Sequence, residues 1–93
     1  MLATDPGDAF LRYAMAMEYV NVGDLDQAVA EFQRLIADHP AYVAAYFMGG
    51  RALRDRGDKS AAHQMWIQGI AKAREINDPH AASEMSEELS LLE

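Results

Sequence analysis

Residues 19–32, YVNVGDLDQAVAEF, and residues 53–66, LRDRGDKSAAHQMW, are two versions of one device set 34 positions apart. In each, an apolar-periodic segment runs into Gly-Asp and a second such segment starts at once. A small residue follows four places after the aspartate (Ala28, Ala62) and a large aromatic four places after that (Phe32, Trp66). Gly23 and Gly57 can take the left-handed conformation that ends a helix without a Cβ penalty. Asp24 and Asp58 can then cap the next helix, and Gln27, three places after Asp24, suggests a capping box. Each stretch therefore predicts helix, tight turn, helix.

The repeat extends outward from these turns. Laying residues 9–42 over 43–76 sets Ile36-Ala37 on Ile70-Ala71, Tyr13 on Phe47, Ala16 on Gly50 and Tyr19 on Leu53. The shared feature is a pattern of sizes, and a fixed period of this length is the signature of stacked helical hairpins. Upstream of the first turn, Phe10, Tyr13, Ala14, Met17 and Val20 recur at helical spacing. Downstream, Leu25, Ala28, Phe32, Leu35 and Ile36 in one copy answer to Ala62, Met65, Trp66, Gly69 and Ile70 in the other. A single hairpin cannot bury such faces, whereas stacking on a copy of itself can.

Pro40 closes the first copy, but Arg74 stands at the matching place of the second, so the fourth helix is expected to run on to Asn77-Asp78-Pro79. Asp78 as cap and Pro79 in the first turn then open a fifth helix. Ala82, Met85, Leu89 and Leu92 fall on one side of it, and Ser83, Glu84, Glu87 and Glu88 on a side expected to be solvated. The fold expected is all-α, a solenoid of two helix-turn-helix repeats and a capping helix, about five helices in all. One domain spans 1–93, with repeats at 9–42 and 43–76 and the capping helix at 78–92. Adjacent Gly49 and Gly50, inside a helix, point to close helix approach, since glycine there is otherwise unfavourable by about 1 kcal/mol.

Charge and composition narrow the function classes. A net charge of −7 repels phosphate backbones and anionic lipid, so nucleic acid and membrane are not expected partners, and a cytoplasmic location is the default. The absence of cysteine removes thiolate nucleophiles and cysteine-held zinc. His39, His63 and His80 show no metal-type spacing and read as surface or capping residues, so no metal, cofactor or catalysis is expected. Gly49-Gly50 lacks the Lys-Ser/Thr of a phosphate loop.

The chain resembles the tetratricopeptide repeat family, which shares the 34-residue period. Ala16, Tyr19, Gly23, Ala28, Phe32, Leu35 and Pro40 carry the likeness in the first copy, and Tyr46, Gly50, Leu53, Gly57, Ala62 and Trp66 in the second. Gly49 departs from a usual leucine, and Arg12 stands where tryptophan is usual, which suggests no repeat packed before the first helix. Pro6, 34 residues before Pro40, makes Leu2–Asp8 read as the tail of an earlier repeat, as if the chain were cut from a longer one.

The resemblance implies right-handed superhelical stacking and a concave face lined by the first helix of each repeat. The matching positions are Phe10, Tyr13, Met17, Val20 and Asn21, then Ala44, Phe47, Arg51, Arg54 and Asp55. The expected function is that of a protein–protein interaction module. It would hold a peptide or helix of an unknown partner protein through aromatic and methionine anchors, with the arginines gripping a carboxylate. The alternative is a structural homodimer in which a second copy, or the capping helix itself, covers this face. Some family members hold a partner's C-terminal carboxylate with lysine and asparagine, but Tyr13, Met17 and Met48 stand at those places, so that specificity is not expected.

Overall fold

The computed structural model describes residues 8–92; the repeat tail inferred around Pro6 lies outside them. Five helices follow one another: α1 (Ala9–Asn21), α2 (Leu25–Asp38), α3 (Val43–Asp55), α4 (Lys59–Glu75) and α5 (Pro79–Leu91). Of the described residues 82% are helical and none is in a strand. Each helix packs on the next in chain order, and α5 also reaches α3. The thinnest dimension, 18 Å, accommodates two helix layers, since a helix with its side chains is about 10 Å across.

The turns form as the sequence predicts, with one difference in detail. Gly23 and Gly57 have φ of 81° and 99°, and Asn77 takes the same place after α4 with φ of 63°. At all three junctions the residue after this position donates its N–H back to a carbonyl five residues earlier: Asp24 to Tyr19, Asp58 to Leu53, Asp78 to Ala73. These are the double-bonded helix ends that a left-handed residue permits. The aspartate then caps the next helix, Asp24 accepting from the Gln27 N–H at 3.3 Å, Asp58 from Ala61 at 3.1 Å and Asp78 from Ala81 at 3.1 Å. The reciprocal half of the capping box does not form at Asp24, because its own N–H is already committed to Tyr19.

Small residues let large ones in. Trp66 and Phe32 are fully buried, and burying such side chains stabilises the fold by about 1.5–3 kcal/mol each. Trp66 lies on Gly50, where an added Cβ would stand 2.6 Å from the indole Cδ1, and its Nε1 donates to the Phe47 carbonyl at 3.1 Å. Gly69 meets Tyr46 and Met85 as closely, and Gly49 more loosely, an added Cβ there standing 3.3 Å from Phe32 Cβ. The close approach expected from Gly49-Gly50 is thus present, with Gly69 as a third instance. Ala82 and Met85 of α5 are buried on this stack and Leu89 and Leu92 are partly so. Glu88 departs from its expected solvated side, its side chain being only 19% exposed in an ion pair with Arg54.

Candidate functional site

The residues singled out for partner binding lie on α1 and α3, the two helices expected to share one face. Asp8 caps α1 by accepting from the Phe10 and Leu11 N–H groups. Phe10 then projects from the first turn with 68% of its surface exposed. Tyr13, one turn on, is half-buried and lies against Phe32 (ring centroids 5.9 Å apart) and Tyr42 (5.6 Å). Burial, and then the neighbouring Tyr42, push its phenol above the ordinary tyrosine value. Met17 and Val20 are half-buried against the core, and Asn21 is exposed at the end of α1.

On α3, Ala44 and Phe47 are half-buried and Asp55 is exposed. The Arg51 guanidinium lies over the Phe47 ring, 5.6 Å from its centroid. Arg54 turns the other way, bonding Glu88 of α5 at 2.7 Å and Asp55 at 3.1 Å, with its guanidinium 6.0 Å from the Trp66 ring. The two arginines therefore differ. Arg54 is committed within the chain, whereas Arg51 is in no ion pair among the described residues and keeps its hydrogen-bonding edge available over an aromatic platform.

The aromatic positions are brought together in two groups. Tyr13 joins Tyr42 and Phe32 in the first, and Phe47 joins Arg51 in the second. Tyr42 was not singled out in the sequence because it lies just before α3, in a segment whose direction the repeat does not fix. Another side of α1 was also missed: Leu11 and Met15, with Val22 just past its end, are exposed. Arg12 in place of an apolar residue was the one hint of it, and Arg12 in fact reaches Asp38 at 2.7 Å. Away from this face, one groove of about 380 Å³ between α2 and α4 is edged by Gln33, Ile36 and Gln64. Another, of about 580 Å³, lies between α4 and α5.

The histidines do not converge. His39 ends α2, His63 is exposed on α4, and His80 opens α5 facing Glu84 at 3.6 Å. Among the described residues no three potential ligands gather for a metal, and no helix is long and apolar enough to cross a membrane.

No family model matches the chain. A TPR repeat-containing protein of Pseudomonas aeruginosa is 35% identical over 86 residues, spanning 92% of this chain and 82% of that protein. A tetratricopeptide repeat domain protein of Salinibacter ruber, solved in solution, superposes with a TM-score of 0.90 at 31% identity, covering 96% of this chain and 90% of its own. A crystal structure of a tetratricopeptide repeat domain protein from the same organism gives 0.84 at 29% identity, over 91% and 96% of the two chains. The protein BPP2914 of Bordetella parapertussis, also solved in solution, gives 0.85 at 27% identity, over 96% and 76%.

Proposed function

The chain belongs to the tetratricopeptide repeat family, whose fold generally mediates protein–protein interaction, and we propose that it docks a peptide or helix of a partner protein on the face formed by α1 and α3. The observation that carries this reading is the Phe47–Arg51 pair. A guanidinium over an aromatic ring, with no carboxylate paired to it among the described residues, is prepared for a carboxylate of another chain. Phe10, exposed one helix away, offers a large apolar contact at low entropic cost. The partner segment suited to this face has an apolar anchor and an acidic residue.

Family members are generally non-catalytic scaffolds, and the scattered histidines fit that role. Arg54 and Glu88 satisfy each other at one edge of the face, so the capping helix covers that edge and leaves Phe10, Phe47 and Arg51 for the partner.

The test uses peptides selected from a displayed random library against the immobilised chain, with affinity measured by calorimetric titration. Phe10→Ser and Arg51→Glu are both surface changes that leave the helical stack intact. Each is expected to weaken a selected peptide about tenfold or more, the scale of a lost anchor or of like charges set together. Peptides that bind both variants as well as the parent chain would remove the assignment.

A further inference from the structure

The groove between α4 and α5 has no role in the proposal above. It is an open groove of about 580 Å³, lined by Lys59, Ser60 and His63 on one side and Ser86, Leu89 and Leu92 on the other. Three observations say what fits it.

The first concerns shape. Counted from the first residue of each helix, Ser86, Leu89 and Ser90 of α5 stand where Gly50, Leu53 and Arg54 stand on α3. That is the side α3 turns to α4, where Gly50 receives Trp66 and the Arg54 guanidinium lies over the same ring. The groove is therefore the seat against α5 that a helix fills against α3, and Ser86, small like Gly50, leaves room for a bulky apolar side chain. Among the described residues nothing covers it.

The second concerns charge. The chain carries −7 overall, and Arg12, Arg34, Arg54, Arg56 and Lys72 are all in ion pairs. Lys59 is in none among the described residues, and it lines this groove with His63 one turn away on the same face. No carboxylate lines the groove. The third is the floor, where Leu89 and Leu92 are only partly covered by the core.

We propose that the α4–α5 groove is a second docking surface, which takes an amphipathic helix of a partner protein bearing a bulky apolar residue for the floor and carboxylates for Lys59 and His63. The occupant is a helix because the seat repeats the α3–α4 contact. It is acidic because, among the described residues, the unengaged charge along the groove is positive. This surface is separate from the α1–α3 face and uses none of its residues.

The probe is a synthetic peptide of about 15 residues, long enough for partial helix formation, with Trp and Leu along one face and Glu on both flanks. A counterpart has Lys for every Glu. Binding to the full 93-residue chain is followed by fluorescence anisotropy of a dye on the peptide. The acidic peptide is expected to bind and the basic one not. Lys59→Glu is expected to weaken the acidic peptide about tenfold or more through like-charge opposition, and Ser86→Trp, which fills the seat, to abolish binding. Arg51→Glu is expected to leave it unchanged. Circular dichroism of each variant confirms that the helices persist, and Lys59→Glu, on an exposed side chain, keeps the test valid should Ser86→Trp disturb the stack. Loss through Arg51→Glu with Lys59→Glu silent would place the peptide on the α1–α3 face and overturn this proposal. So would equal binding of both peptides, no binding at all, or a groove occupied only by a second copy of the chain.

Discussion

Replacing Gly50 by alanine sets two effects of opposite sign against each other. In an exposed helix interior the change stabilises by about 1 kcal/mol, because alanine is the better helix former. At Gly50 the added methyl would lie 2.6 Å from Cδ1 of Trp66. The indole is fully buried and its Nε1 is held by the Phe47 carbonyl, so the ring has nowhere to retreat without breaking that bond. Overpacking costs about 1–3 kcal/mol and the lost hydrogen bond about 1 kcal/mol. Setting the propensity gain of about 1 kcal/mol against these leaves a net loss of about 1–3 kcal/mol. For a domain of this size that corresponds to a fall in Tm of about 5–20 °C.

Urea and thermal unfolding, followed by circular dichroism and by the emission of Trp66, the only tryptophan in the chain, measure both the loss and its location. A red shift of native-state emission should accompany the destabilisation. Gly57→Ala is the control: its Cβ meets nothing within 4 Å, but φ is +99°. It should cost about 1–2 kcal/mol through backbone strain alone and leave the native emission unchanged. A Gly50→Ala protein as stable as the parent, or more so, would refute the packing account of α3 on α4.

Two further outcomes are expected. A double-mutant cycle on Arg54→Met and Glu88→Gln should give a coupling of about 0.5–1 kcal/mol, the range of a partly exposed ion pair, and coupling indistinguishable from zero would mean that α5 is held by its apolar side alone. Stability should also fall in alkali. Burial is the first cause that raises the Tyr13, Tyr42 and Tyr46 phenols above their ordinary value in the folded chain. As pH rises past the ordinary tyrosine value of about 10, the unfolded chain loses those protons first, so the folded state binds more protons and is progressively disfavoured. Between neutral pH and that value urea midpoints should be flat, and above it they should decline, while tyrosinate absorbance of the folded chain lags that of the unfolded chain; coincident titrations would remove the effect.

The sequence made the helix ends legible because their chemistry is local. Gly23, Gly57 and Asn77 each meet a demand for positive φ, and the aspartate that follows each is within reach of the next helix's first N–H groups. The stacking was legible from periodicity, since Gly50 and Trp66 vary in size together across the repeat. What the period does not encode is the lateral spacing between helices. Arg54 of α3 bonds Glu88 of α5, a helix that lies outside the two repeats. The sequence alone placed Glu88 on a solvated side, because pattern gives the face of a helix and not the reach of an arginine from its neighbour. The α4–α5 groove was invisible for the same reason: Leu89 and Leu92 read as core from their spacing, and their partial exposure depends on how far apart α4 and α5 lie. The concave positions were expected from the family's geometry, but only the coordinates separate Arg51, stacked and in no ion pair among the described residues, from Arg54, already engaged.

The most direct test of partner docking on the α1–α3 face is an amide NMR titration of the isotope-labelled chain with a library-selected peptide. The account predicts that the largest shifts gather at Phe10, Met17, Phe47 and Arg51, with α2 little moved. Shifts concentrated on α2, or spread evenly over all five helices, would contradict it.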